Sequence, residues 1–247
     1  MANIVKCGSL YLDGHIMPAG QAYIPGQQIA IQNTVSEKEL LWVVTNGMLI
    51  ADRCLLVDIS WDDLDEQSLV FGKPVSIDGV DYVCRLLKVG NKEGVPNEWD
   101  AALDTVRNEN NDLWHWRKIA FWGQETPDVS VLQRRQSDKT LRGCNAVRNW
   151  YLNSSFCRGC NCGFRPVLDP VKTDPDKITL HDYVSIWCGQ SILNGYLAEQ
   201  TQYDWVIVPD QTSTVSAQEL DRLIAPLPEG RVLIDRAGIS AVQVLHT

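Results

Sequence analysis

The chain has no stretch approaching the roughly 20 consecutive apolar residues of a membrane-spanning helix. Its longest apolar runs, such as Leu40 to Val44, have the length of a strand, so no membrane span is expected. Residues Met1 to His15 lack the apolar core and small-residue cleavage site of a secretory signal, so export by that route is not expected either. Positive charge is scarce: 22 Lys and Arg stand against 31 Asp and Glu, a net charge of −9. That balance argues against broad attraction to nucleic acid or to anionic membranes. The densest local group of basic residues, Arg134, Arg135, Lys139, Arg142 and Arg148, reads as side chains solvated or paired with carboxylates.

Catalytic signatures are also missing. The four histidines, at positions 15, 115, 181 and 246, lie far apart, and His115 between two tryptophans reads as a helix-face residue rather than a base. No G-x-S-x-G, phosphate-cradling glycine loop or dinucleotide fingerprint occurs. Asp62 with Asp63, and Glu98 with Asp100, are neighbouring acids. Adjacent residues of a turn point in different directions, so capping explains them better than paired catalysis or a calcium site.

What is present is a core. At 247 residues and 45% apolar content the chain can hold one large domain or two to three small ones. Eight cysteines stand at positions 7, 54, 84, 144, 157, 160, 162 and 188, and in an intracellular protein they are expected reduced and partly buried. Cys157, Cys160 and Cys162 could offer three thiolates to zinc, with Cys144 as a fourth only if the fold returns it. A strong zinc signature has two such knuckles and this chain has one, so no metal and no cofactor are expected.

Short β-type runs fill residues 1–36: Ser9 to Leu12, Gln21 to Ile24 and Ile29 to Ile31, with Asp13-Gly14 as a hairpin turn. Longer runs follow at Leu40 to Val44, Gly47 to Ile50 and Cys54 to Ile59, with Asn46-Gly47 as a second turn. Ser60 with Asp63 reads as a helix-capping pair. Pro74 to Ile77 and Val80 to Val89 form a third hairpin around Asp78-Gly79. Helical spacing appears at Asn97 to Val106, capped by Asn97, and again at Asp112 to Trp122. The chain from Trp122 to Thr140 reads as a long polar loop, and Pro170 to Lys177 as a linker. Strands are then expected at Tyr183 to Cys188, Ser191 to Glu199, Asp204 to Val208, Arg231 to Asp235 and Ile239 to Val244, interrupted by an amphipathic stretch, Ser216 to Ile224.

Leu141-Arg142-Gly143-Cys144-Asn145-Ala146-Val147-Arg148-Asn149-Trp150, followed by Gly163-Phe164-Arg165-Pro166-Val167-Leu168, resembles the end of the formylglycine-generating-enzyme fold, a variant of the C-type-lectin-like fold. The wider stretch from Ile59 to Leu168, with Trp61-Asp62-Asp63-Leu64, Asn97-Glu98-Trp99-Asp100 and Phe121-Trp122-Gly123-Gln124-Glu125, looks like an uncharacterised bacterial and prophage protein family with this ending. The resemblance implies an α+β class, with a C-type-lectin-like domain at 37–170 between a small β segment at 1–36 and a β-barrel-like domain at 178–247. That last region, through Val184-Ser185-Ile186, Gly195-Tyr196-Leu197, Val206-Ile207-Val208 and Val232-Leu233-Ile234-Asp235, faintly resembles an Sm-like or SH3-like barrel. In such a scaffold Gly163 permits close approach, Phe164 plugs the core, and Arg165 is expected to pair with Glu125 or Asp100. Trp99, Trp116, Trp122 and Phe164 are assigned to the core.

The enzyme branch of that family uses two cysteines, five residues apart, and the resemblance implies that they bind copper and activate oxygen. Here the equivalent stretch from Lys139 to Cys144 holds only Cys144. Cuprous ion needs two soft thiolates for tight ligation, so oxidase chemistry is not expected unless Cys157 or Cys162 replaces the missing partner. The best functional signal is instead the loop from Trp150 to Arg158, whose aromatic, Asn, Ser and Arg content suits adaptable recognition. Arg148, Trp150, Tyr151, Asn153, Ser155 and Arg158 are the candidate ligand-binding residues. The expected function is non-catalytic binding of a protein or carbohydrate surface, in the cytoplasm or a phage virion, with homo-oligomerisation open. The alternatives are a divergent copper oxidase and a structural phage component.

Overall fold

Tight turns that require positive φ organise the chain from its start. The computed structural model describes residues 2–128, 137–159, 161–220 and 222–245. β1 (Ile4–Cys7) passes through Gly8 into β2 (Ser9–Leu12), and Asp13-Gly14, at φ 50° and 78°, returns it as β3 (His15–Met17). β4 (Gln21–Ala22) and β5 (Ile29–Gln32) follow. β6 (Leu40–Thr45) and β7 (Met48–Ala51) are joined by Asn46-Gly47, again with both φ positive. Such turns carry the twist of the strands they connect, and Asn, Asp and Gly reach that conformation at least cost.

The expected run from Cys54 to Ile59 is a strand only at β8 (Leu56–Val57). α1 (Trp61–Glu66) begins at Ser60, whose hydroxyl accepts from the Asp63 N–H while the Asp63 carboxylate accepts from the Ser60 N–H. This reciprocal box satisfies two otherwise orphaned donors. β9 (Lys73–Ile77) and β10 (Val80–Leu86) are joined by Asp78-Gly79, the third turn with two positive φ angles. α2 (Glu98–Val106) starts at Asn97, which accepts from the Asp100 N–H at 2.9 Å, and it buries Trp99, Ala102, Leu103 and Val106.

Beyond α2 the helical spacing misleads. α3 (Asn111–Trp114) makes a single turn and ends at His115, φ 44°. The chain then enters β11 (Ala120–Trp122). Pairing with later strands on both sides satisfies the main-chain groups here, and that long-range gain overrides local periodicity. β12 (Asp138–Gly143), β13 (Trp150–Ser154), β14 (Cys162–Phe164) and β15 (Pro166–Pro170) complete the central part. The stretch after Pro170 is tied down rather than loose, because the Thr173 N–H donates to the Val242 carbonyl at 2.7 Å.

The C-terminal strands are β16 (Tyr183–Cys188), β17 (Ser191–Gln200), β18 (Asp204–Pro209), β19 (Ile224–Pro226), β20 (Val232–Asp235) and β21 (Ile239–Val244). The described residues of the expected amphipathic stretch, Ser216 to Leu220 and Arg222 to Ile224, are turns and bridges leading into β19. Among the described residues the strands form three six-stranded sheets, ordered β1-β6-β7-β15-β10-β9, β13-β12-β11-β14-β8-β4 and β19-β20-β18-β17-β16-β21, with a three-stranded ribbon β3-β2-β5. The protein is therefore β-rich, with a minority of helix.

The cores explain the layout. Leu10, Leu12, Ile29 and Ile31 of the N-terminal strands share one cluster with Trp42, Leu86, Trp122 and Phe164. The N-terminal segment thus packs into the central body, and β1 pairs directly with β6. A second cluster surrounds Trp99, Trp114 and Phe121. The third lies within the C-terminal sheet, where Val184, Ile186, Leu193, Trp205, Ile207 and Ile234 face one another. The opposite face of that sheet carries Trp187, Ile192 and Ala241, which belong to the central cluster. β16 is apolar on both faces because both are covered, one by its own sheet and one by the body.

Candidate functional site

The RG and GFR motifs meet in the second sheet, where they hold the scaffold. A Cβ on Gly163 would lie 2.7 Å from Cys54 Sγ and 3.0 Å from the Leu56 carbonyl, so only glycine lets β14 approach β8. Phe164 is fully buried, as are Trp99 and Trp122, whereas Trp116 is half-exposed beneath Arg117 and Trp114 takes the core position. Arg165 pairs with neither Glu125 nor Asp100. It is wholly buried and donates through Nη1 to the Ala51 and Asp52 carbonyls at 3.1 and 3.0 Å and through Nη2 to the Trp114 carbonyl, with its guanidinium over the Trp99 and Phe121 rings. Asp100 instead takes Arg142 at 2.5 Å, with Arg148 3.7 Å from its other oxygen.

The six residues singled out in the sequence do not form one open surface. Trp150, Tyr151 and Asn153 lie on β13, which pairs with β12 throughout. Trp150 is nearly buried and its indole N–H donates to the Gly90 carbonyl at 2.9 Å. Arg148 is held by Asp104 and Glu109 at 2.6 and 2.7 Å. Ser155 is buried and donates to Asp62 at 3.1 Å. Arg158 makes two 2.8 Å bonds to Asp63. Of the basic group, Arg134 and Arg135 lie outside the described residues, while Lys139 sits 4.0 Å from the Trp61 ring centroid.

Burial alone would raise the Asp63 carboxyl, but the hydrogen bonds from Arg158 and Ser60 outweigh it and hold the group below the ordinary carboxylate range. A depressed carboxylate contributes stability that is fully present above its unfolded value, about 3.9, and is lost as pH falls through the folded one. Asp63→Asn is accordingly expected to be about 1 kcal/mol less stable than the parent at neutral pH. The gap should close below about pH 4 in urea titrations run across pH.

Tyr151 and Asn153 do converge with sulfur. Desolvation, with the Cys144 and Cys162 thiols next in strength, pushes the Tyr151 hydroxyl upward. Asn153 Nδ2 lies 3.7 Å from Cys162 Sγ. Burial raises the Cys54 thiol to about 11, so it stays protonated. No group of three His, Cys, Asp or Glu side chains suited to a metal occurs among the described residues, and Cys160 and His246 lie outside them.

One concave feature draws together residues that no local stretch of sequence contains. Where the C-terminal sheet leaves the central body, the two diverge around a cleft of about 560 Å³, within the range of roughly 300–1,000 Å³ usual for ligand sites. Tyr82 and Ile192 line its apolar floor, and Tyr82 stacks edge-to-face on Trp187 with centroids 6.2 Å apart. β1 forms one wall, and residues Gln211 to Thr214 form the other. Asn3 closes an end by donating to the Gln190 carbonyl at 2.8 Å and accepting from the Thr214 hydroxyl at 2.7 Å.

Polar groups converge on this cleft. Tyr183 donates to Asp210, which also accepts from the Thr212 N–H and hydroxyl. Its bond to Asp210, followed by burial, raises the Tyr183 hydroxyl to about 12. Asn194 donates to Thr212 at 2.8 Å, yet its Oδ1 is buried with no hydrogen-bond partner among the described residues. An unsatisfied buried acceptor costs on the order of 1–3 kcal/mol. Cys7, on the β1 wall, has its thiol pushed up to about 12, first by burial and then by Asp78, and is a poor nucleophile. Among the described residues no helix is long and apolar enough to cross a membrane. Comparison with known proteins finds no matching family model, no matching curated protein and no matching solved structure.

Proposed function

We propose that this is a non-catalytic binding protein of phage or mobile-element origin, with a C-type-lectin-like central part, that takes a protein or carbohydrate partner in the cleft between its sheets. The observation that carries the reading is the cleft itself, a cavity of ligand size whose apolar floor of Tyr82 and Ile192 is flanked by the polar side chains of Tyr183, Asn194 and Thr212. A concave, largely apolar cavity with a few convergent polar groups is the usual form of a binding site. The roles of Arg142 and Arg165 as buried struts support the lectin-like reading, because the family motif is a scaffold motif. The cleft takes precedence over the Trp150 to Arg158 strand because the side chains there are already engaged within the molecule.

The test is amide mapping on the isotopically labelled chain, titrated separately with chitotriose, maltotriose, end-blocked dodecapeptides selected on the chain, and cuprous ion. Shifts centred on Tyr183, Asn194 and Thr212 to Thr214 are expected, and Asn194→Leu should weaken that binding about tenfold or more while leaving the chain folded. Shifts centred on Tyr151, Asn153 and Arg158 instead would return the site to β13. Stoichiometric cuprous binding that is lost in Cys144→Ser would favour the oxidase, and a large defined oligomer in light scattering would favour a structural component.

A further inference from the structure

The cleft wall on the central body is a strand edge. β1 pairs on one side only, with β6, and is terminal in its sheet. All four of its residues, Ile4, Val5, Lys6 and Cys7, line the cleft. A cavity lying against the face of a strand touches alternate residues, because side chains alternate between faces. One that touches every residue in turn runs along the edge.

The hydrogen-bond phase of that edge can be read off. The Val44 N–H donates to the Asn3 carbonyl at 3.0 Å, and Val5 stands opposite Trp42 in the same register. In an antiparallel pair, residues that bond across the ladder alternate with residues whose N–H and C=O point away. Asn3 and Val5 therefore bond to β6, and the main-chain groups of Ile4 and Lys6 point into the cleft.

We infer that the occupant of the cleft is an extended peptide segment of a partner protein, which adds to the sheet as a strand beside β1. This rests on the cleft being the binding site. A row of main-chain donors and acceptors at strand spacing is complementary to another strand, and this mode draws affinity from the main chain and selectivity from alternate side chains. The edge is recessed between β1 and the Gln211 to Thr214 wall. That recess admits a single segment and excludes the broad sheet of a second copy.

Side-chain preferences follow from the register. Ile4 and Lys6 share the exposed face of β1, and Lys6 makes no ion pair among the described residues. Directly opposed residues in paired strands interact across roughly 4.5–5.5 Å. The segment should thus carry an acidic residue opposite Lys6 and an apolar one opposite Ile4. Residues opposite Val5 and Cys7, which pack toward the central core, should be apolar.

A random linear dodecapeptide display library, panned on the intact chain, supplies the probe, and a glycan array is run beside it. Enriched peptides should slow amide exchange at Ile4 and Lys6 about tenfold or more, leaving Val5 unchanged. Alternate N-methylation of such a peptide should abolish binding in one phase and spare it in the other, since only one edge pairs. Lys6→Pro removes an outward N–H without touching the β6 ladder and is tolerated on an edge strand. It should fold and lose about tenfold or more in affinity. The inference is overturned by a library that yields no binder, by binders that leave Ile4 and Lys6 exchange unchanged, or by equal loss in both methylation phases. A sugar that shifts Tyr183 and Asn194 without protecting Ile4 and Lys6 would overturn the peptide while leaving the cleft as the site; no probe at the cleft at all would overturn both.

Discussion

Arg165→Met is expected to lower the stability of the protein by about 3–5 kcal/mol, the scale of breaking a buried charged network. The guanidinium is fully enclosed, and three main-chain carbonyls, of Ala51, Asp52 and Trp114, depend on it for hydrogen bonds. Methionine fills much of the space but leaves those carbonyls buried without a donor, and each such loss costs on the order of 1–3 kcal/mol. Arg165→Lys should rescue little. A lysine offers a point of charge where a planar fork now reaches carbonyls from separate segments and stacks between Trp99 and Phe121. Urea unfolding followed by tryptophan emission measures both variants, and a midpoint close to the parent for Arg165→Met would show that the three carbonyls find other donors.

Trp187→Ala is expected to cost a similar amount, about 3–5 kcal/mol, by a different route. The indole lies at the junction of the C-terminal sheet with the central core, packed on Tyr82. Its removal opens a cavity where the two bodies meet and weakens both. The C-terminal sheet keeps its own cluster around Trp205 and Ile207, so far-UV and near-UV unfolding curves should separate in the variant while coinciding in the parent. Trp187→Phe should be much milder. The indole N–H already lacks a hydrogen-bond partner among the described residues, so phenylalanine removes an unsatisfied donor along with the volume. Coincident curves in Trp187→Ala would mean that the sheets unfold as one unit regardless of this contact.

Local chemistry was legible where it is decided locally. The three turns at Asp13-Gly14, Asn46-Gly47 and Asp78-Gly79 need φ values that few residue types tolerate, and they stand where the dipeptides announce them. The caps at Ser60 and Asn97 are equally local. The segment from Asp112 to Trp122 was not legible, because its tryptophans serve separate cores and strand pairing decides its conformation. The composition of the Trp150 to Arg158 stretch suggested adaptable contacts, but composition does not reveal that Asp63, Asp62 and Gly90, distant in the chain, already hold its polar groups. The cleft draws on residues 4–7, 77–82, 183–194 and 211–214, and no window of sequence contains it. One signal was there: a run as apolar as Val184 to Cys188 has no solvent face, which implies a covering body on each side.

The pairing of β7 with β15 bears on how the protein comes into being. Leu49 and Ile50 receive their partners Leu168 and Val167 only after the whole intervening chain has been synthesised. Until then the first sheet is split between two incomplete halves, with apolar strands exposed on the ribosome. Contacts so distant along the chain slow folding and lengthen the interval in which unpaired strands can aggregate.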